Sequence, residues 1–310
     1  HMSLFASLLG MDDPIRTNIH SHIRLYGTFF MQTFFIVTGF CSSFGIKFSS
    51  FLWKNIKSLI IPALILCFGC GCLNAILAGE IVSVKNVINF NEWFVSKGGP
   101  WFIFALFEAK ILYWFICKIK IRWQGTILLI GYMLGLLLSN KGITNYLFCQ
   151  HTLLMLPYLA IGNIAKNYHR IISDNLKKCA VWGGVILSIQ FLFDFPVPSQ
   201  DYNIGISFKT FPLHILNVIC GTCLVIYSAK LIGQSRFLTR FGKGSLLVYL
   251  ANGLVSNVVL YLCMPIYENL SQSLLFAFYF SVYVLMVLFS YILVRLIYGY
   301  KWLSWIVGKW

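Results

Sequence analysis

Charge is scarce in this chain, and acidic charge is scarcest: only nine Asp and Glu stand among 310 residues, against 24 Lys and Arg. Charged residues make up 11% of the chain, where a soluble globular protein carries about one-quarter. Water is thereby excluded as the main solvent. Long polar stretches are also missing. The longest segments without spanning character are residues 1–25 and about 80–100, too short to enclose a core of their own. Internal repeats and low-complexity tracts are absent. Residues 1–25 lack the basic-then-apolar order of a signal peptide.

Apolar residues supply what is present: they make up 59% of the chain, and the mean hydropathy is +0.79. A spanning helix needs roughly 20 mostly apolar residues, because a rise of 1.5 Å per residue then crosses about 30 Å of hydrocarbon with every backbone group bonded internally. Such stretches predict helices at 26–46, 58–79, 101–117, 123–139, 148–165, 179–195, 211–232, 244–264 and 272–298. The expected fold is all-α, a polytopic membrane bundle of about nine spans forming a single domain over residues 1–310.

Basic residues set the expected orientation, since short cytoplasmic loops carry an excess of Lys and Arg. Alternate segments hold Lys47, Lys54 and Lys57; Lys118, Lys120 and Arg122; Lys166, Arg170, Lys177 and Lys178; Lys230, Arg236, Arg240 and Lys243; and Arg295, Lys301 and Lys309. These are 17 of the 24 cations, and they predict a cytoplasmic C-terminus and an outward N-terminus in the plasma (inner) membrane. Seven of the nine acidic residues fall on the opposite side, and only Asp174 lies with the cations. The net charge of +15 is therefore a matter of topology. A nucleic-acid partner would need one basic soluble face, and here the cations are dealt out among five loops. An outward tail carrying Asp12, Asp13, Arg16 and Arg24 would be translocated most naturally behind one more span, which predicts ten helices in a full-length relative. His1-Met2 reads as a cloning remnant.

Of ten cysteines, nine fall in or beside predicted spans, where Cys behaves as a small hydrophobe. Cys220 and Cys223 have CxxC spacing, but neither a second pair nor a nearby His completes a zinc set, so no metal is expected.

Ionisable groups inside hydrocarbon are expensive and usually functional, which singles out Glu108 and Lys110. Glu108 lies seven residues past Trp101, roughly 10 Å below the outer surface at helical rise. It is a candidate general base, or a group that orients an acceptor hydroxyl. The competing reading is a buried carboxylate paired to a basic or amide side chain of a neighbouring helix. His1, His20, His22, His151 and His214 all fall toward the outer face, and only His169 falls inside. Each alone is more readily an interfacial or hydrogen-bonded His than a catalyst, but together they make the outer half the place to seek proton transfer. On the cytoplasmic side, Lys54 and Lys57 precede one span, and Arg240-Phe241-Gly242-Lys243-Gly244-Ser245 precedes another. Basic residues beside a helix N-terminus suit phosphate, and the two glycines would let it approach the backbone. Plain positive-inside bias explains the same residues without a ligand.

Several segments together resemble acyltransferase family 3, the integral membrane acyltransferases that modify sugars and other acceptors. Phe34-Phe35-Ile36-Val37-Thr38-Gly39-Phe40 is similar to that family's FF-x-x-SGF signature, with Thr38 for Ser. Lys54-x-x-Lys57 followed by Pro62 resembles its basic pair leading to a proline. Gly99 to Phe107, including Trp101-Phe102, resembles its WFL-x-x-L segment, and Leu238 to Leu250 resembles its late LGK-x-S motif. Two departures stand out. The first helix, which in the family carries a basic residue and an essential histidine, is missing, and Asn252 stands where many relatives have His.

The resemblance implies a donor, acyl-CoA with acetyl-CoA expected, whose phosphates meet Lys54, Lys57, Arg240 and Lys243. It implies transfer to a hydroxyl of an extracytoplasmic glycan or other envelope acceptor, with Glu108 and a histidine, His1 or His22, as catalytic groups. Trp101, His151 and His214 would contact the acceptor. Two other classes compete: a carrier or flippase using the same polar pocket, and a catalytically inactive relative.

Overall fold

The computed structural model describes residues 29–77, 101–140, 146–193, 211–249, 255, 258–259 and 275–300. Every regular element among them is helical. His1, His22, Asn252, the segments 80–100 and 194–209, and most of the span expected at 244–264 lie outside the described residues.

In chain order the helices are α1 (Phe30–Cys41), α2 (Phe48–Asn55), α3 (Ile61–Leu77), α4 (Trp101–Ile116), α5 (Ile121–Asn140), α6 (Cys149–Ala165), α7 (His169–Leu192), α8 (Phe211–Ile232), α9 (Arg236–Lys243) and α10 (Leu275–Gly299). Among the described residues, four helical stretches are long and apolar enough to cross a membrane: Phe48–Gly69, Ile121–Ser139, Phe211–Ile232 and Phe280–Gly299. The protein is an all-α membrane helical protein.

Two expected boundaries move, each for a physical reason. A π-helical turn, Ile56–Ile60, joins α2 to α3, so the helix expected to begin at 58 already begins at Phe48. Pro62 explains the turn: it has no N–H for the ladder and its ring crowds the preceding carbonyls, and one wider turn absorbs both. Likewise α7 begins at His169, ten residues before the expected start. Arg170, Lys177 and Lys178 thus ride on its first turns instead of in a loop. Pro157 does not break α6, which runs unbroken from Cys149 to Ala165.

Two compact units make up the chain: residues 17–53 with 101–233, and residues 1–16, 54–100 and 234–310. In the first of these, α6 is the hub and packs on α1, α4 and α5, while α8 packs on α7 and α1. Two glycines let α1 and α6 touch backbone to backbone. A Cβ on Gly39 would overlap the Leu159 carbonyl, and one on Gly162 would overlap the Ile36 carbonyl. Such small-residue crossings hold helices together where lipid removes the hydrophobic drive. Phe34 and Phe35 set their rings edge-on to Phe102 of α4, with centroids 4.8 and 5.5 Å apart. Lys166 donates to the Ser42 carbonyl at the C-terminal end of α1, and Trp114 Nε1 donates to the Ile46 carbonyl at 3.1 Å. Both tie down the loop after α1.

In the other unit, Leu247, Val294 and Ile297 form an apolar cluster with Leu66, Val248, Leu293 and Tyr298 around it. Gly244 packs directly on the Val294 side chain. Phe237 lies on Tyr291 with centroids 4.8 Å apart.

Candidate functional site

Polar groups in a helix that faces hydrocarbon must find partners inside the protein. In α4, Trp101, Phe104 and Glu108 recur at spacings of three and four, which places them on one face. That face meets the start of α6. Thr152, buried, donates its hydroxyl to Glu108 Oε2 at 2.8 Å. The ring of Trp101 lies 4.7 Å from that of His151 at an interplanar angle of 35°. Phe104 stacks on Phe148, with centroids 6.2 Å apart, and Phe148 meets the edge of His151 at 6.1 Å. Glu108 itself is half-buried, and its partner is a neutral hydroxyl in place of the basic or amide side chain of the competing reading.

The turn that presents His151 and Thr152 is strained. Leu147 and Phe148, both non-glycine, hold φ at 51° and 60°, in the left-handed region. Each such residue costs about 1–2 kcal/mol, and such outliers gather at functional sites when the surroundings enforce them. Here the enforcement is visible: Phe148 is buried between Phe104 and His151.

The two helices thus bring Trp101 against His151, and Glu108 against Thr152. Thr152 was missed, although the run Cys149-Gln150-His151-Thr152 at the head of an apolar helix was a readable signal. His214 occupies a different level. It is fully buried, with Nε2 3.2 Å from the Tyr158 hydroxyl, two turns along α6 from His151. One turn further along α8, Asn217 Oδ1 accepts from Gln190 Nε2 of α7 at 2.8 Å. Thr222 shares a 2.8 Å hydrogen bond with Thr33 of α1. His214, Asn217 and Thr222 therefore form a polar stripe that fastens α8 to its neighbours.

The cationic candidates lie on other helices. Lys54 is exposed in the last turn of α2, and Lys57 is half-buried in the π-helical turn. Arg240 is exposed on α9, its guanidinium 3.5 Å from the Tyr291 hydroxyl, and Lys243 ends that helix. The helix N-terminus expected at Lys54 and Lys57 is not there, because that helix already runs from Phe48, whereas beside Lys243 a turn at Gly244 does precede a new helical stretch at 245–249. Ile61 N–H bonds to Ile56 O. Gly244 N–H bonds to Arg240 O, and Val248 N–H bonds to Gly244 O at 2.9 Å. The Ile61, Gly244 and Val248 N–H groups are thus spent within the helices. Gly244 packs closely on the Val294 side chain, while Gly242 faces open space. Among the described residues, no group of three or more His, Cys, Asp and Glu could hold a metal ion.

Comparison with curated proteins and with solved structures returned no match. Residues 1–295 match the family described as an acyltransferase domain, and those residues include both Phe34–Phe35 and Trp101–Phe102, the two signature segments that meet in the fold. The chain belongs to acyltransferase family 3.

Proposed function

We propose that this membrane acyltransferase takes an acyl group, acetyl in the simplest case, from cytoplasmic acyl-CoA and passes it to a hydroxyl of an extracytoplasmic glycan or other envelope acceptor. What supports the acceptor half of this reading is one arrangement: a half-buried carboxylate, Glu108, hydrogen-bonded to Thr152, the residue that follows His151, whose ring lies against Trp101. Aromatic rings offer apolar faces to sugar C–H groups, and a carboxylate accepts from sugar hydroxyls. The strained turn at Leu147 and Phe148 also supports a working site at the head of α6.

In the proposed reaction, Glu108 orients the acceptor hydroxyl while a histidine takes its proton. His151, next to Thr152 in the chain, fills that role among the described residues; His1 and His22 are the other candidates. The hydroxyl oxygen attacks the thioester carbonyl, the carbon–sulfur bond breaks, and the CoA thiolate leaves and recovers the proton from the imidazolium. The new ester remains on the acceptor. The exposed cations Lys54 and Arg240, with the half-buried Lys57, suit CoA phosphates as side-chain contacts.

The test is transfer from radiolabelled acetyl-CoA to the envelope glycan fraction in membranes bearing the full-length protein. Label in the glycan that depends on Glu108 supports the reading. Full donor hydrolysis or transport with no labelled acceptor overturns it.

A further inference from the structure

We propose that Thr152 is the positioning residue of the acceptor site: its hydroxyl fixes one oxygen of Glu108 so that the other is presented to the acceptor. The inference rests on the reading of Glu108 given above.

The geometry is specific. Thr152 is 1% exposed, and its hydroxyl reaches Glu108 Oε2 at 2.8 Å. A threonine hydroxyl in a helix ordinarily bonds back to a carbonyl three or four residues earlier. Here it is spent between helices on a carboxylate. A hydroxyl has one proton to donate, and a carboxylate can accept several bonds. One oxygen is therefore held while the remaining capacity stays available for a substrate hydroxyl.

The rest of the site explains why this bond can be stiff. Thr152 lies on α6, whose crossing with α1 is set by the close approach of Gly39 to the Leu159 carbonyl and of Gly162 to the Ile36 carbonyl. It follows directly on His151, which is wedged between the Trp101 and Phe148 rings. Further along the same pair of helices, Asn163 Nδ2 donates to the Tyr113 hydroxyl at 3.1 Å. Rotation or sliding of α6 against α4 would break contacts at both ends, so the Thr152 hydroxyl arrives at Glu108 already oriented. Preorganisation of this kind matters most in the transition state, where a displaced carboxylate no longer meets the reacting hydroxyl.

The test uses the full chain with Thr152→Val, which keeps the shape and deletes the donor, and Thr152→Ser, which keeps the donor. Expected are a fall in kcat of about 10- to 100-fold for Thr152→Val with the acetyl-CoA KM unchanged, and recovery to within about threefold of wild type for Thr152→Ser. In a Glu108→Gln background, Thr152→Val should add nothing, because the group it positions is gone. A second readout does not depend on turnover. The infrared difference between wild type and Glu108→Gln isolates the carboxyl band, which Thr152→Val should move and Thr152→Ser should restore. If Glu108→Gln keeps full transfer, the reading of Glu108 itself fails and the inference falls with it. If Glu108→Gln is impaired while Thr152→Val has wild-type kcat, or an unmoved carboxyl band, the positioning role alone is overturned.

Discussion

Gly39 of α1 and Gly162 of α6 stand at the point where the two helices cross, each occupying the place where a side chain would strike the other helix's carbonyl, Leu159 O for one and Ile36 O for the other. Alanine at either position should force the helices apart. The cost is expected to be about 1–3 kcal/mol, after allowing for the small gain in helix propensity. Thermal melts in detergent check this: Gly39→Ala and Gly162→Ala should both melt earlier, while Gly125→Ala, whose added methyl meets open space, should not.

Glu108→Gln should leave stability within about 1 kcal/mol of wild type, because the partner is a neutral hydroxyl that the amide can also accept from, and no buried ion pair is broken. Transfer should nevertheless drop by roughly 10²-fold, from loss of a group that acts on the reacting hydroxyl. A melt and a radiolabel assay on the same preparation separate the two quantities. A large loss of stability would move Glu108 to a purely structural role.

The Gln190–Asn217 bond joins α7 to α8 with both side chains buried. Single changes to Leu strand the remaining amide, and the double change removes both. A double-mutant cycle by denaturant unfolding in detergent should give a coupling of about 0.5–2 kcal/mol, the range for interhelical hydrogen bonds in membranes. Additive losses would show that the two amides do not act as a pair.

Lys54→Ala combined with Lys57→Ala should weaken CoA binding, and more so at low ionic strength, since charge contacts of the exposed Lys54 and half-buried Lys57 are screened by salt. Binding of CoA measured at two salt concentrations decides it. An affinity unchanged at both would return these lysines to their role in setting orientation.

Orientation is checked by a single cysteine placed in a cysteine-free background. Leu147→Cys, exposed at the head of α6, should react with an impermeant maleimide on intact cells. Ile119→Cys, exposed beyond the end of α4, should react only after the membrane is opened. Labelling of both from one side would overturn the expected alternation of loops.

Much of the fold was readable because the bilayer acts on each segment separately. Apolar length is a property of a short window, so the helices at 101–116, 121–140, 149–165 and 211–232 match the expected spans within two residues. Boundaries failed where a polar or charged run was itself helical. Lys54, Lys57, Arg170, Lys177 and Lys178 looked like loop residues, but long basic side chains can reach water from a helix that continues below them. The family signatures were readable as strings, but their physical meaning was not. Gly39 proved to be the contact point of a helix crossing, and Gly244 a seat for Val294.

The sequence by itself determined that the chain is helical, that it belongs in a membrane, and that Glu108 is an unusual residue to find there. Composition and window hydropathy suffice for these, because the cost of unpaired backbone groups in hydrocarbon leaves so few alternatives. Tertiary structure alone decided which residue answers Glu108. A helix that is apolar nearly all round does not announce which side faces which neighbour, and lipid tails attract its faces equally. The choice falls to shape and to hydrogen bonding: two glycines bring α1 onto α6, three aromatic rings and an imidazole fix the head of α6 against α4, and the Thr152 hydroxyl then lies 2.8 Å from the carboxylate. These contacts span 44 residues from Glu108 to Thr152 and 123 from Gly39 to Gly162, distances over which no local pattern carries information.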